Sequence, residues 1–478
     1  MSIPLSEESD PHGCTCHGTA VNPADIERVV PDDTHVCSGC QPTSDRFRLT
    51  GMAIRPVFTL LLFVSATSLL PAQSGDSPYV IRDVRVFDGE TVAERQTVVI
   101  SQGRIAAVGG PTVAVPAGAQ EVAGEGRTLL PGLMDAHIHL PVFPVTSTAE
   151  ALQQTLAFGV TTTVVMGAAP SQFVSRVKEF ETSDPPDIAA VVSAGMVATA
   201  PGGHPTQMGG PPIPTLAAPG EADAFVAARL AEGSDFIKII FDDTSDAFPG
   251  RPLPTLDEKT VAALVTAAHA RGQMAVAHIG NERYARGAIA AGVDGLAHLF
   301  VGSAVSTDFG QFAAKHGVFV IPTLSVLYAA CGMPDGPSFL KEADTMRQVK
   351  PQFRAFLERP DPPSTIRCDA APQAIRQLVA AGVPLLTGTD SPAPGTTYGA
   401  SLHRELEHLV NAGMTPTAAL VAATSATARA FRLTDRGRIR TGMRADLLLV
   451  DGDPSKQIRA TRNIVAIWKR GVRVQRAP

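Results

Sequence analysis

The chain contains 478 residues, of which 44% are hydrophobic and 18% are charged. This composition supplies enough apolar side chains for a large buried core and excludes an extended disordered protein, while the length suits one large barrel with a satellite domain. The formal net charge of -6, without a long basic run, gives no electrostatic footprint for nucleic acid or an anionic membrane surface, so a small-molecule or short-peptide substrate is favoured.

Residues 1–51 form a polar segment that precedes a second methionine, Met52. The spacing of its cysteines and one histidine could bind zinc, through Cys14, Cys16, His17, Cys37 and Cys40. Because the segment lacks the periodicity of a folded unit, we expect it to be a misassigned or removable extension, with a zinc knuckle or a disordered tail as alternatives. The other cysteines are Cys331 and Cys368, and their spacing leaves open whether they pair.

An uncharged apolar run, VFTLLLFVSATSLL at 57–70, follows Arg55 closely and ends in small residues before Gln73. The run is shorter than the roughly 20 residues that a spanning helix needs, and it has the length of the apolar part of a signal peptide. We therefore predict a signal peptide at 52–72, export to the periplasm or the medium, and no stable membrane insertion after its removal. A buried core helix is the alternative.

The segments 79–128 and 436–478 alternate apolar with polar residues and are broken by glycines. This pattern is typical of short antiparallel strands joined by turns. Because the same pattern occurs at both ends of the chain, we predict one small β-sandwich domain built from both ends.

Between these segments, residues 129–435 alternate strand-like apolar runs with helical stretches such as DEKTVAALVTAAHARG, which indicates βα units and a parallel sheet. Eight such units close a barrel, so the predicted fold class is α/β, a (β/α)8 TIM-like barrel with the β-sandwich as its small domain. Chemistry in that fold lies at the C-terminal ends of the strands. The eight runs are TLLPGLMDAHIHL, GVTTTVVMG, IAAVVSAGM, DFIKIIF, QMAVAHI, VDGLAHL, VFVIPTL and VPLLTGTD.

Two histidines, His137 and His139, end the first run. Residues two apart on a strand point to the same face, so both imidazoles can reach one metal ion near the barrel axis. The alternative is a pair of surface histidines.

Three further runs end in a potential ligand: His278, His298 and Asp390. Singly, each histidine could be a core residue and the aspartate a helix N-cap. Together with the first pair they are better explained as imidazole and carboxylate ligands of Zn²⁺ or a related divalent metal ion.

A lysine, Lys238, lies in the middle of the fourth run between large apolar residues. Barrel strands are covered on both faces, and burial of an unpaired ammonium lowers the lysine pKa. The neutral amine can add CO₂, and the resulting carbamate can bridge two metal ions. A solvent-facing lysine on an edge strand is the alternative.

These motifs resemble the amidohydrolase superfamily, in its imidazolonepropionase-like and prolidase-like branch. The resemblance rests on GLMDAHIHL, the strand lysine, His278, His298 and TGTDSP, and extends to the closing RTGMRADLLLVDGDP. It implies two divalent metal ions, for which zinc is expected, with a carboxylated Lys238 between them. The implied ligands are His137, His139 and Asp390 at the more buried metal ion and His278 and His298 at the second.

The ligand types predict hydrolysis of an amide bond by a metal-activated hydroxide, with Asp390 as the general base and then the general acid. We expect a dipeptidase or carboxypeptidase-like enzyme or an N-acyl amidase, with His204 and Tyr328 as weaker substrate-binding candidates. The alternatives are a mononuclear cyclic-amide hydrolase or deaminase, and a secreted metal-binding module without catalysis. Oligomeric state, including a homo-oligomer, stays open.

Overall fold

A computed structural model of the protein describes residues 77–141, 145–167, 171–209, 211–246, 252–302, 304–359 and 366–477. The predicted extension at 1–51 and the predicted signal peptide at 52–72 lie outside these residues. In the described part of the chain, no helix combines the length and the hydropathy that crossing a membrane requires.

Five strands come first in the described chain: β1 (Tyr79–Phe87), β2 (Val92–Ser101), β3 (Arg104–Gly109), β4 (Gln120–Ala123) and β5 (Arg127–Pro131). β1 pairs with β2, and β2 with β3, in the predicted antiparallel manner. β4 and β5 instead lie parallel to β1, so the expectation of antiparallel strands throughout 79–128 is wrong there. The chain crosses from β3 to the opposite edge of β1, where it runs in the same direction as β1.

Seven short parallel strands follow: β6 (Leu133–Ile138), β7 (Val160–Val165), β8 (Ala190–Ser193), β9 (Ile237–Ile240), β10 (Ala275–His278), β11 (Gly295–Ala297) and β12 (Phe319–Ile321). They form two sheets, β6-β7-β8 and β12-β11-β10-β9. The first predicted run is divided at Gly132, where a Cβ atom would lie 2.2 Å from Oγ1 of Thr161. Its first half is β5, in another sheet, and its second half is β6.

Backbone contacts join the two parallel sheets at both sides. On one side the N–H of Ala198 donates to the carbonyl of Lys238 at 2.8 Å. On the other side the eighth predicted run takes part through isolated parallel bridges, Val320 with Leu385 and Ile138 with Ser391, rather than as a regular strand. The eight segments are therefore arranged in a TIM-barrel-like α/β order.

The C-terminal strands are β13 (Leu447–Asp451), β14 (Ile464–Lys469) and β15 (Val472–Arg473). They join the N-terminal strands in one sheet of order β15-β14-β13-β5-β1-β2-β3, with β4 paired to β1. Side chains from these strands, including Ile81, Leu449 and Trp468, pack together in one buried hydrophobic cluster. Both chain ends thus build one satellite sheet, and its packing as a two-layered sandwich stays a prediction.

Helices connect the strands and cover the parallel sheets. The stretch predicted as helical from DEKTVAALVTAAHARG begins after Asp257, whose side chain accepts from the N–H of Thr260. The helices are α1 (Val145–Ala157), α2 (Ser171–Ser183), α3 (Ala222–Ala231), α4 (Glu258–His269), α5 (Glu282–Ala290), α6 (Phe309–His316), α7 (Leu324–Ala330), α8 (Gly336–Phe339), α9 (Ala343–Gln348), α10 (Pro351–Glu358), α11 (Ala370–Ala380), α12 (Ala400–Asn411), α13 (Pro416–Val421) and α14 (Thr427–Ala430).

Cys331 and Cys368 form a disulfide, with their Cα atoms 6.1 Å apart. Cys331 directly follows α7, and Cys368 lies shortly before α11. The pairing that the sequence left open is therefore made between the segments flanking these two helices.

Candidate metal centre

The imidazoles of His137 and His139 lie at the end of β6, with ring centroids 5.3 Å apart. The Nε2 atoms of both rings approach the same oxygen, Oδ1 of Asp390, at 3.2 and 3.0 Å. His137 is buried, and this burial lowers its pKa to about 3, with a further contribution from Lys238. His137 is therefore a neutral imidazole, which is the form that binds metal ions.

Asp390 ends the eighth run in a left-handed backbone conformation, with φ of 57°. Its N–H donates to the carbonyl of His137 at 2.8 Å, which fixes the end of this run beside β6. Gly388 permits the eighth run to lie this close to its neighbouring strands, since a Cβ atom there would lie 2.4 Å from Cγ2 of Ile321. Burial alone would raise the pKa of Asp390, but the neighbouring His137 and His139 outweigh it and hold that pKa well below its usual range.

His278 is the last residue of β10, and His298 directly follows β11. Their ring centroids are 4.5 Å apart, and the ring of His298 lies 4.6 Å from that of His137. Nδ1 of His298 lies 2.7 Å from Oγ1 of Thr323. Burial, with the neighbouring His278, lowers the pKa of His298 well below its usual value. One ligand atom each from His137, His298 and Asp390 lie within 4.8 Å of one another.

Lys238 lies in β9 with 1% of its surface exposed. Among the described residues, its Nζ atom is buried without a hydrogen-bond partner. Burial lowers the pKa of this amine to about 7, although the Asp390 carboxylate acts in the opposite direction. Burial therefore favours the neutral amine, and the solvent-facing alternative is wrong.

The two weaker candidates occupy different places. The ring of His204 stacks on that of His278, with centroids 5.1 Å apart, and burial lowers its pKa to about 3. Its Nδ1 atom lies 2.8 Å from Nε2 of Gln207. Tyr328 lies on α7, where its ring contacts His408 at 4.8 Å between centroids. His204 thus joins the histidine cluster, whereas the described ring contact of Tyr328 is made outside it.

Asp135 was not singled out from the sequence, although it continues the alternation of His137 and His139 by one step towards the N-terminus. It is fully buried, and its carboxylate accepts from the N–H of His137 and from the N–H and hydroxyl of Thr389. Burial raises its pKa to about 7, against these hydrogen bonds. Asp135 therefore ties β6 to the run that carries Asp390.

Asp242 lies beyond β9 with its carboxylate 3.7 Å from Nε2 of His278 and 5% of its side chain exposed. Gly280 makes room for it, since a Cβ atom there would lie 2.5 Å from the carboxylate. Asp242 is therefore a buried carboxylate beside the histidine cluster rather than a solvated loop acid.

The donor set fits a divalent cation. Tetrahedral zinc sites have metal–ligand distances of about 2.0 to 2.2 Å, which places neighbouring donor atoms roughly 3.3 Å apart. Oδ1 of Asp390 lies at 3.0 and 3.2 Å from its two imidazole nitrogens, close to that spacing. Neutral imidazoles and a carboxylate are also the donor chemistry that suits such a cation.

Several known proteins are similar to this chain in sequence or in fold. The chain is 26% identical over 308 residues to an uncharacterized protein of Mycobacterium tuberculosis, covering 64% of this chain and 75% of that one. It is 39% identical over 104 residues to an imidazolonepropionase of Streptomyces griseus, covering 21% and 26%. A solved Xaa-Pro dipeptidase with bound methionine in its active site has a similar fold, with a TM-score of 0.66, 23% identity and coverage of 84% and 100%.

Residues 128–475 match the Amidohydrolase family, which covers well over half of the chain. Members of this family depend on divalent metal ions, and the histidine, lysine and aspartate cluster lies within the matched residues. The chain therefore belongs to the Amidohydrolase family and is a metal-dependent hydrolase that acts on carbon–nitrogen bonds.

Proposed function

We propose that the protein is an exported, binuclear enzyme that hydrolyses an amide bond to release an amino acid from a dipeptide, a short peptide or an N-acyl amino acid. The observation that carries this proposal is the position of Asp390, whose Oδ1 atom lies within 3.2 Å of Nε2 of both His137 and His139. A carboxylate in that position can both hold a metal ion and exchange a proton with a water molecule beside it.

The proposed ligands form two sets that share one bridging side chain, the carboxylated Lys238. The first set is His137, His139 and Asp390, and the second is His278 and His298. When bound, the divalent cations, for which zinc is our first choice, lower the pKa of a water molecule and polarise the scissile carbonyl. Asp390 accepts the proton of that water during attack and delivers it to the departing amine.

Carboxylation of Lys238 needs a neutral amine and CO₂. The Nζ lone pair attacks the carbon of CO₂, an N–C bond forms as one C=O π bond breaks towards oxygen, and one proton passes from the nitrogen to a water molecule to leave an anionic carbamate. The pKa of about 7, set by burial, provides the neutral amine without a separate base. The unpartnered position of Nζ among the described residues supports this assignment.

Similarity to a Xaa-Pro dipeptidase supports the dipeptide as the first substrate class to test. His204 is the better of the two substrate-binding candidates, because its ring stacks on that of His278. Its neutral imidazole can donate one hydrogen bond to a substrate carbonyl or carboxylate. Tyr328 would need a substrate that extends towards α7.

A mononuclear hydrolase of a cyclic amide, or a deaminase, is the second candidate. The local identity of 39% to an imidazolonepropionase, a protein named for a ring compound, favours it. Such an enzyme would not need the carbamate on Lys238. Metal counting separates the two candidates, and family membership favours either of them over a non-catalytic metal-binding module.

We further propose that residues 129–435 form a closed (β/α)8 barrel and that 79–128 and 436–478 form a β-sandwich. The backbone contacts on both sides of the parallel sheets support the first, and the shared sheet of the two chain ends supports the second.

The substrate proposal is tested by screening purified protein against dipeptides and N-acyl amino acids while its metal content is measured. We expect two divalent ions per chain, release of a free amino acid, and loss of activity with a chelator that is reversed by added zinc. One bound ion, with hydrolysis of cyclic amides only, would favour the second candidate instead.

Export is supported by the disulfide, since such bonds persist mainly in oxidising compartments. The N-terminal sequence of the protein recovered outside the cytoplasm tests this point. A chain beginning near Gln73 is expected, whereas an exported chain that retains Cys14 to Cys40 would contradict removal of the extension.

A further inference from the structure

Glu405 lies on α12 with none of its surface exposed. Its Oε1 atom accepts the N–H of Leu324 at 2.9 Å, and its Oε2 atom accepts the N–H of Ser325 at 2.8 Å. These are the first two N–H groups of α7, which a helix leaves without partners of its own. A carboxylate from a different helix therefore completes the start of α7.

The residue that would normally perform this role is Thr323, which precedes α7. Threonine is a common N-cap residue, yet the side chain of Thr323 makes no capping hydrogen bond here. Its hydroxyl instead lies 2.7 Å from Nδ1 of His298. Because Glu405 satisfies the helix, the Thr323 hydroxyl is available to the histidine.

The two residues joined by this contact, Thr323 and His298, both have an unfavourable backbone conformation. Thr323 has a φ of 51° and His298 a φ of 75°, both in the left-handed region that β-branched and bulky residues rarely adopt. Such conformations are energetically unfavourable and persist where the surrounding contacts enforce them. The two hydrogen bonds of Glu405 are contacts of that kind, since they hold the residues directly after Thr323.

We propose that Glu405 is a positioning residue for His298. By capping α7 in place of Thr323, it holds the Thr323 hydroxyl where it accepts the Nδ1–H of His298, which leaves Nε2 for a metal ion and fixes the ring. The affinity of the metal site to which His298 contributes then depends on Glu405, whose carboxylate oxygens accept hydrogen bonds from the backbone of α7. The inference rests on the metal centre of the proposed function.

The test measures zinc dissociation constants of the metal-free protein by competition with a chelator. His298→Ala is measured first, and the zinc dissociation constant that it weakens identifies the bound ion (zinc equivalent) that depends on His298. Glu405→Gln keeps one acceptor oxygen but turns an amide N–H₂ towards a backbone N–H, so it should weaken that equivalent about 10- to 100-fold and leave any other unchanged. Should this variant not fold, Glu405→Asp, whose shorter side chain retains the charge, takes its place with the same expectation.

A double-mutant cycle with Thr323→Val separates positioning from general loss of stability. If Glu405 acts through Thr323, the double variant should bind zinc no more weakly than the weaker single variant, and Thr323→Ser should retain wild-type affinity. Glu407→Gln is the matched control, because Glu407 lies on the same helix but pairs with Arg462. It should change the melting temperature without changing zinc affinity.

Wild-type affinity in Glu405→Gln at the His298-dependent equivalent would overturn the inference, as would independent, additive losses in the cycle. If the wild type binds one zinc ion, the binuclear proposal fails. The zinc affinities of the wild type and Glu405→Gln then still decide whether Glu405 positions His298. A wild type that binds no zinc overturns both.

Discussion

Nε2 of His139 lies 3.0 Å from Oδ1 of Asp390, although one residue follows β6 and the other ends the eighth run of the chain. His139 has 45% of its side chain exposed and Asp390 only 19%, so the contact marks the boundary between solvent and the buried cluster. A carboxylate at that boundary can meet both a metal ion and an incoming water molecule.

Asp390→Asn should lower turnover by about 10²- to 10⁴-fold, because an amide cannot carry the proton from water to the leaving amine. The turnover number is measured together with metal content, so that proton transfer and metal binding are distinguished. Asp223→Asn, which removes an exposed partner of Arg271, is the control and should retain wild-type turnover. Near-normal turnover in a fully loaded Asp390→Asn enzyme would show that another group moves the proton.

Lys238→Ala should lose metal and activity together, because the proposed carbamate would supply negative charge between two cations that would repel each other at about 3.5 to 4 Å. Lys238→Arg should not substitute, since guanidinium stays protonated and forms no carbamate. Added formate or propionate should restore part of the activity of Lys238→Ala but not of Lys238→Arg. A Lys238→Ala enzyme with two metal ions and wild-type turnover would refute the bridge.

The pH dependence of folding stability should include a contribution from His403, whose ring contacts the carbonyl of Phe158 and the hydroxyl of Thr461. Burial lowers its pKa to about 3 from 6.5, so the folded protein holds it neutral while the unfolded chain protonates it. Its contribution is complete above pH 6.5 and is lost as the pH falls towards 3, at up to about 1.4 kcal/mol per pH unit.

Urea denaturation between pH 4 and 7 measures this slope, and His403→Asn should make it shallower. His316→Asn, at an exposed ring on α6, is the control and should leave the slope as in the wild type. An identical slope in His403→Asn and wild type would place the acid sensitivity elsewhere.

Reduction of the disulfide between Cys331 and Cys368 should lower the free energy of unfolding. The bond closes a loop across a sequence separation of 37, for which the chain-entropy account gives about 4 kcal/mol. Denaturation of the wild type with and without reductant, beside a Cys331→Ser/Cys368→Ser double variant, measures the loss. The double variant should respond equally with and without reductant, and a wild type insensitive to reductant would contradict a stabilising bond.

The sequence alone determined the family, the enzyme class and the residues worth examining. Apolar runs that alternate with amphipathic stretches are local patterns, and a polar side chain that ends such a run marks the active end of a barrel strand. His137 and Asp390 could be selected on that basis from the sequence, and Lys238 because it lies between large apolar residues within a run. Asp135 could have been added, since it continues the same alternation.

The tertiary structure decided what depends on residues distant in the chain. It placed β4 and β5 parallel to β1, paired Cys331 with Cys368, and brought Glu405 to the start of α7. No local pattern encodes these contacts, because each depends on how the chain crosses between elements. The left-handed backbone of Thr323 also depends on residues distant in the chain, since a β-branched residue adopts this conformation only where contacts from other elements enforce it.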